Sequence, residues 1–281
     1  MNYTELKSCC AAAYQSDFAR LLLGDSFHPG GLRLTERLGE LLALSPGDHV
    51  LDVACGRGES AIYLASRFGC RVTGIDLGET NITHATSRAE AASVSTLVRF
   101  RLGDAERLDY TDASFDVVLC ECAFCTFPDK RAVTSEFGRV LRPGGGLGLS
   151  DLTRSGELPA ELTGLLAWIA CIADARAVEE YVAHLERAEF QSILAEPHDE
   201  SLAQMVRDIQ GRLLAAELMA KLDKRGIEKS PAVPALILNR EHVLSQDARS
   251  TRASSSGRWD PTTTFSPPVS VKRTPRSPLA T

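Results

Sequence analysis

The residues with the most chemistry to offer lie where runs of apolar residues stop at small and acidic ones. Val50-Leu51-Asp52-Val53-Ala54-Cys55-Gly56-Arg57-Gly58-Glu59-Ser60 reads as a buried strand entering a glycine-containing turn and then a helix. Glycines in such a turn let a ligand approach the backbone closely, and free N–H groups at the helix start favour an anion, either a pyrophosphate or a carboxylate. A second apolar run ends in Asp76, placed to accept hydrogen bonds from both hydroxyls of a ribose. A third ends in Gly103-Asp104-Ala105, where a carboxylate can accept from the exocyclic amine of an adenine. Each has a plainer explanation, because tight turns use glycine and aspartate caps helices. In this order and context the three together favour a nucleoside-bearing ligand.

In open α/β sheets the reacting ligand sits beyond the carboxyl ends of the strands, which draws attention to Cys120-Glu121-Cys122-Ala123-Phe124-Cys125, where the fourth apolar run ends. Buried packing is the ordinary role of an unpaired cysteine. The Cys122 and Cys125 spacing also fits half a zinc site or a redox pair, but no second pair exists at matching spacing, and a redox pair sits in a different strand-helix context. His28, in Phe27-His28-Pro29-Gly30-Gly31, is a candidate for the acceptor side of a pocket, although a histidine before proline is commonly part of a turn. His198-Asp199-Glu200 reads as a helix start, and Arg57 as a solvated loop residue.

The elements that must position these residues alternate. Short β-rich runs at His49 to Ala54, Arg71 to Asp76, Val98 to Gly103, Phe115 to Cys120 and Gly146 to Ser150 are separated by helical patterns at Ser60 to Phe68, Thr80 to Ala92 and Lys130 to Leu141. The near-continuous apolar character of the strands predicts a parallel sheet covered on both faces. Arg142-Pro143-Gly144-Gly145-Gly146 reads as a helix stop and a sharp turn into the fifth strand. Residues 1–45 form an expected N-terminal helical cap, with helices at Tyr3 to Arg20 and Leu32 to Leu44, and residues 46–244 the main domain. Within it, an apolar helical insert at 152–176 is a candidate lid, followed by a helix at Ala177 to Ala188, a sixth strand at Phe190 to Leu194 and a helix from Asp199 to Leu222. Residues 245–281 are rich in Ser, Thr, Pro and Arg and read as a disordered tail. No internal repeat is evident.

The 281 residues can bury a substantial core, and a formal net charge of -6 argues against a nucleic-acid surface. A small-molecule substrate is expected instead. There is neither a membrane-spanning apolar run nor a signal-peptide pattern at MNYTELKSCC, so a cytoplasmic enzyme is expected, whose eight cysteines (9, 10, 55, 70, 120, 122, 125 and 171) are free thiols.

With these motifs in place, the chain resembles the class I S-adenosylmethionine-dependent methyltransferases over roughly residues 45 to 195. Asp52-Val-Ala-Cys-Gly56-Arg-Gly58 is similar to the family's first motif, Asp76 to its ribose-binding acid, Gly103-Asp104-Ala105 to its adenine-binding turn, and Leu141-Arg-Pro-Gly-Gly145 to its post-sheet turn. Ala54 stands where the family has its first loop glycine, and Ser60 replaces the last. The resemblance implies a Rossmann-like, doubly wound, mostly parallel sheet, S-adenosylmethionine as cofactor, and contacts to it from Asp52, Ala54, Gly56, Gly58, Asp76, Leu77, Asp104, Ala105 and Glu121. It also implies a seventh, antiparallel strand, for which Ala235 to Leu238 is the one apolar candidate. An NAD-linked dehydrogenase is the competing reading of the loop. It lacks support, because the three-glycine fingerprint is incomplete and no Tyr-x-x-x-Lys or histidine proton-transfer pair follows.

A closer resemblance is to the arsenite methyltransferases, carried by Cys122 with Pro128-Asp129-Lys130, Arg139-Val-Leu-Arg-Pro-Gly-Gly, Ser150-Asp151, Glu157-Leu-Pro159 and Cys171. It implies that Cys122 and Cys171 hold trivalent arsenic, a thiophilic acceptor whose lone pair attacks the methyl group, with Cys9 and Cys10 standing in for the family's N-terminal cysteines; Cys125 is a further candidate by its place after the fourth strand. Two other functions are weighed against this: methylation of carbon, nitrogen or oxygen of a small metabolite with the cysteines only lining the pocket, and a non-catalytic cofactor-binding protein.

Overall fold

The computed structural model describes residues 7, 12, 14, 28–154, 174–224, 265–266 and 269–272. A single sheet organises them. Five strands, β1 (His49–Val53), β2 (Arg71–Asp76), β3 (Val98–Leu102), β4 (Phe115–Glu121) and β5 (Leu141–Ser150), pair in parallel in the order β3-β2-β1-β4-β5. Helices α1 (Gly31–Leu41), α2 (Glu59–Phe68), α3 (Glu79–Ala91) and α4 (Lys130–Val140) precede or connect them, which makes this the expected Rossmann-like arrangement.

The two-residue period of the strands sorts their side chains onto the two faces. Val50 of β1 and Val117 and Leu119 of β4 join Leu38 of α1, Leu64 of α2 and Ala89 of α3 in one core. Leu51 and Val53, with Val118 and Cys120, point the other way, onto Val133 and Phe137 of α4 and Tyr181 and Leu185 of a fifth helix, α5 (Val178–Arg187). Phe115 falls out of this alternation and joins the second core, because the β4–β5 register shifts between Phe115 and Val117. The same bulge corrects the expectation for Arg142 to Gly145. They do not form a turn before the strand: β5 begins at Leu141, paired with Phe115, and resumes at Gly146, paired with Val117.

Beyond β5 the chain makes a short strand, β6 (Thr153–Arg154). Arg154 donates its N–H to Arg176 O at 3.0 Å and its Nε–H to Ala175 O at 2.6 Å, so the two ends of the expected lid insert meet. Residues 155–173, and with them Cys171, lie outside the described residues, as do Cys9, Cys10 and the candidate seventh strand at Ala235 to Leu238. The sixth strand expected at Phe190 to Leu194 is shorter and later, as β7 (Ile193–Ala195), followed by α6 (Asp199–Lys224).

The antiparallel strand comes from the segment read as a disordered tail. After the two-residue strand β8 (Phe265–Ser266), which pairs with β6, strand β9 (Val269–Lys272) runs antiparallel between β5 and β7 and completes a seven-stranded sheet in the order β3-β2-β1-β4-β5-β9-β7. For these residues the sequence expectation is corrected: four residues of alternating Val-Ser-Val-Lys suffice where two strand edges already wait on either side. Among the described residues no helix is long and apolar enough to cross a membrane.

Candidate functional site

A cleft opens at the carboxyl ends of β1, β2, β3 and β4, where open α/β sheets bind their ligands. Its construction begins in the turn after β1. Ala54, Gly56 and Gly58 all take the left-handed conformation, with φ of 58°, 53° and 78°, and the loop is tied by Cys55 N–H to Ile75 O and Gly58 N–H to Cys55 O, both at 2.9 Å. Gly56 lies on the cleft wall, and a Cβ there would meet nothing within 4 Å. Gly58 does not line the cleft. A Cβ on it would come within 2.5 Å of Phe100 Cζ and 2.9 Å of Ala85 Cβ, so its role is close helix-to-sheet packing.

Asp76 ends β2 and orders the loop. Its carboxylate accepts from Gly56 N–H (2.9 Å), Gly78 N–H (2.7 Å) and Asn81 Nδ2 (3.1 Å). Burial still raises its pKa above the usual carboxylate value, against the pull of these bonds. Leu77 lies beside it on the wall. Sequence reasoning missed Asn81, a buried helical residue whose Oδ1 has no partner. Asp52 is 2% exposed, with its Oδ2 also unpartnered, and its pKa stands well above the usual value because of burial and the nearby Glu121 and Asp76 carboxylates. Burial, helped by Asp52 and Asp76, likewise keeps the Cys55 thiol protonated.

At β3, Asp104 and Ala105 line the cleft as expected, but the Asp104 carboxylate already accepts from Lys7 Nζ at 2.9 Å and from Glu106 N–H at 3.0 Å. Lys7 also reaches Glu106 at 2.5 Å, so the N-terminal cap is tied across the turn after β3. Nothing in the sequence pattern pairs these distant positions.

The wall at the end of β4 holds Glu121, Cys122, Ala123, Thr126 and Phe127. Cys122, the first residue after the strand, takes a left-handed φ of 52° and donates its N–H to Ser150 O at 2.6 Å. Cys125 does not line the cleft: 1% exposed, it packs with Leu152 and Ala175 behind Cys122 and Tyr14, and its N–H donates to Asp151. Glu121 accepts from Thr35 Oγ1 of α1 at 3.1 Å, and His28 Nε2 lies 3.8 Å from it. His28 and Tyr14 bring the cap to this side of the cleft. Of the residues expected at a site, then, Asp52, Ala54, Gly56, Asp76, Leu77, Asp104, Ala105, Glu121 and Cys122 share the cleft, whereas Gly58 and Cys125 do not. Among the described residues no three His, Cys, Asp or Glu side chains converge as a metal site would require.

Five carboxylates, Asp52, Glu59, Asp76, Asp104 and Glu121, line a cleft with an unobstructed glycine turn and three buried oxygen acceptors left open, at Asp52 Oδ2, Glu59 Oε2 and Asn81 Oδ1. That set suits a ligand carrying positive charge and several hydrogen-bond donors, as the ammonium, sulfonium and ribose groups of S-adenosylmethionine provide.

Comparisons with known proteins agree. A family model described as "Methyltransferase domain" matches residues 44–197, more than half the chain. The chain is 38% identical over 174 residues to the 27-O-demethylrifamycin SV methyltransferase of Amycolatopsis mediterranei (strain S699), an alignment covering 58% of this chain and 61% of that one. It is 35% identical over 179 residues to phosphoethanolamine N-methyltransferase 1 of Arabidopsis thaliana, covering 63% of this chain and 36% of that one. The chain thus spans about 60% or less of the length of these relatives. In fold it resembles Haemonchus contortus phosphoethanolamine N-methyltransferase 2, solved with phosphomonomethylethanolamine and S-adenosylhomocysteine, at a TM-score of 0.71 and 17% identity, covering 98% of this chain and 61% of that one. On the matched domain, the parallel sheet and the cleft at its carboxyl end, the chain belongs to the methyltransferase-domain family, the S-adenosylmethionine-dependent class I methyltransferases.

Proposed function

We propose that this protein transfers the methyl group of S-adenosylmethionine to a nucleophilic atom of a small molecule in the reducing interior of the cell. The observation that carries the reading is the division of one cleft into two kinds of wall. Acidic and glycine residues at the ends of β1 to β3 suit the cofactor, and a mixed wall of Tyr14, His28, Glu121 and Cys122 is left for an acceptor. Asp76 is assigned the ribose hydroxyls, Asp104 and Ala105 the adenine, and the turn at Ala54 to Gly56 the methionine carboxylate, with Leu77 packing beside the nucleoside. Glu121 supplies negative charge opposite the cationic groups, and Asp52, whose proton is held by burial in the absence of cofactor, becomes charged as those groups bind. The bound cofactor supplies a methyl carbon on a positively charged sulfur, open to attack from the side opposite that sulfur. What the chain adds is position and exclusion of water, effects worth as much as ~7 to 11 kcal/mol when both reactants are well aligned. The relatives' names point to oxygen and nitrogen acceptors on small molecules.

The thiol reading, with arsenite as acceptor, retains one favourable observation, Cys122 on the acceptor wall. Cys125 does not line the cleft, but packs in a cluster that Cys122 and Tyr14 of the cleft wall also join. Calorimetry with S-adenosylmethionine and S-adenosylhomocysteine on the wild type and Asp76→Ala tests the cofactor assignment. Loss of about 2 to 3 kcal/mol of affinity in a folded variant is expected, and unchanged affinity removes Asp76 from the site. Turnover with arsenite and a thiol reductant, on wild type, Cys122→Ser and Cys171→Ser, separates the two acceptor classes: only a thiol-bound acceptor requires both cysteines.

A further inference from the structure

Resting on the methyl-transfer reading, the inference concerns the acceptor half of the cleft. His28 is 9% exposed, lines the cleft, and has no hydrogen-bond partner on either ring nitrogen. An imidazole buried with both nitrogens unpaired is unfavourable unless a ligand completes it. Its backbone is set by the turn into α1, where Pro29 follows it and Gly31 donates its N–H to His28 O at 3.2 Å. Its Nε2 lies 3.8 Å from Glu121 Oε2, and both side chains are buried, 8% and 4% exposed. Glu121 is itself held by Thr35 Oγ1, which lies 3.3 Å from Ser60 Oγ. The other titratable groups lining the same cleft are Asp52, Glu59, Asp76, Asp104, Cys55, Cys122, Tyr14, Lys7 and Arg57.

We infer that His28 is the base that removes the acceptor's proton, with Glu121 as its positioning residue, and hence that the acceptor is a hydroxyl compound. A carboxylate opposite Nε2 favours the tautomer with its proton there and leaves the Nδ1 lone pair for the acceptor, the logic of a base oriented by a buried acid. The 3.8 Å separation is longer than a hydrogen bond and is of the kind that tightens once substrate is bound. A hydroxyl needs such a base, whereas a soft thiophilic ion attacks through a lone pair without one. As the acceptor oxygen bonds to the methyl carbon, its proton passes to Nδ1 and the O–H electron pair stays on oxygen. The methyl–sulfur electron pair leaves on sulfur, which ends as a neutral thioether. The imidazolium faces Glu121 and afterwards releases its proton to water.

The test uses 27-O-demethylrifamycin SV as hydroxyl probe and phosphoethanolamine as amine probe, with wild type, His28→Asn and Glu121→Gln. Turnover of the hydroxyl probe alone is expected, falling at least 100-fold in His28→Asn while cofactor affinity by calorimetry stays within threefold. The alkaline-rising limb of its pH profile should shift in Glu121→Gln. Turnover of the amine probe alone, or undiminished turnover in His28→Asn, overturns the inference. Cofactor affinity lost together with turnover places His28 in the cofactor site and overturns it too. Whatever the probes show, nitrogen NMR of the His28 ring decides the pairing: the ring proton should sit on Nε2 in the wild type and redistribute between the two nitrogens in Glu121→Gln, and an unchanged tautomer ratio overturns the pair. Failure of the wild type to bind S-adenosylmethionine would instead strike the methyl-transfer reading.

Discussion

At the scale of single residues the cleft works against the stability of the protein that holds it. Asp52 is buried beside Glu121 and Asp76, and one of its carboxylate oxygens has no partner. Above the unfolded carboxylate pKa of about 4 the unfolded chain has lost this proton while the folded chain retains it, so stability falls as pH rises through that window. Replacing Asp52 by Asn removes the ionisable group and keeps the shape. In the absence of cofactor, Asp52→Asn should therefore stabilise the fold by ~1 to 3 kcal/mol at pH 8, with the gain shrinking toward zero near pH 4. Thermal melts of both proteins at the two pH values measure this, and a gain independent of pH would show that charge is not the cause. Calorimetry should show the opposite sign for function, with weaker cofactor binding at pH 8, because the compensating cation then meets one carboxylate fewer. Ala54 and Cys122 add to this local cost, since both are non-glycine residues held in the left-handed conformation at the ends of adjacent strands.

At the scale of elements, the turn between β1 and α2 separates two uses of glycine that look alike in sequence. Gly58 at φ 78° abuts Phe100 and Ala85, so Gly58→Ala combines left-handed strain with overpacking and should cost ~2 to 4 kcal/mol of stability. Gly56 at φ 53° faces open cleft, so Gly56→Ala should cost only about 1 kcal/mol of stability. Its new methyl group lies in the ligand's space and should lower cofactor affinity at least tenfold. Melting curves and calorimetry on the two variants check this, and the reverse pattern would mean that the turn is misassigned. The sequence made this turn legible because strand, glycines and helix are contiguous in it, and Asp76 and Asp104 were found for the same reason, each closing an apolar run. Gly58 was grouped with the ligand contacts because its neighbour Phe100 comes from β3, a contact that no local pattern encodes. The approach of His28 to Glu121 and of Lys7 to Asp104 was hidden in the same way, since each joins the cap to a distant strand end.

At the scale of the whole molecule, the sheet depends on a strand whose partners are fixed long before it in the chain. Gly146, Leu147, Gly148 and Leu149 of β5 pair with Lys272, Val271, Ser270 and Val269, and β7 pairs with the other edge of the same four-residue strand. The composition of residues 245–281 argues for disorder because composition measures apolar surface, whereas a strand inserted between two edges gains from backbone hydrogen bonds that composition does not register. Deleting residues 265–281 removes β8 and β9 together, leaves β7 without its partner strand, and exposes the β5 edge over the buried Leu147 and Leu149. The ladder bonds, at ~0.5 to 1.5 kcal/mol each, are partly offset by the entropy of ordering a short segment, so a net loss of about 2 to 4 kcal/mol is expected. A melting temperature lower by roughly 5 to 12 °C follows, together with a tendency to associate through the opened edge. Ser270→Pro isolates the cause, because Ser270 sits between Gly148 and Leu194 and proline cannot donate to either ladder. It should reproduce most of the loss, while deletion of residues 273–281 alone should leave the melting temperature unchanged. The cleft is built at the ends of β1 to β4, so cofactor affinity below the melting transition should stay within about twofold in Ser270→Pro. If both the deletion and the proline variant melt like the wild type, β9 holds nothing together and the sheet ends functionally at β5.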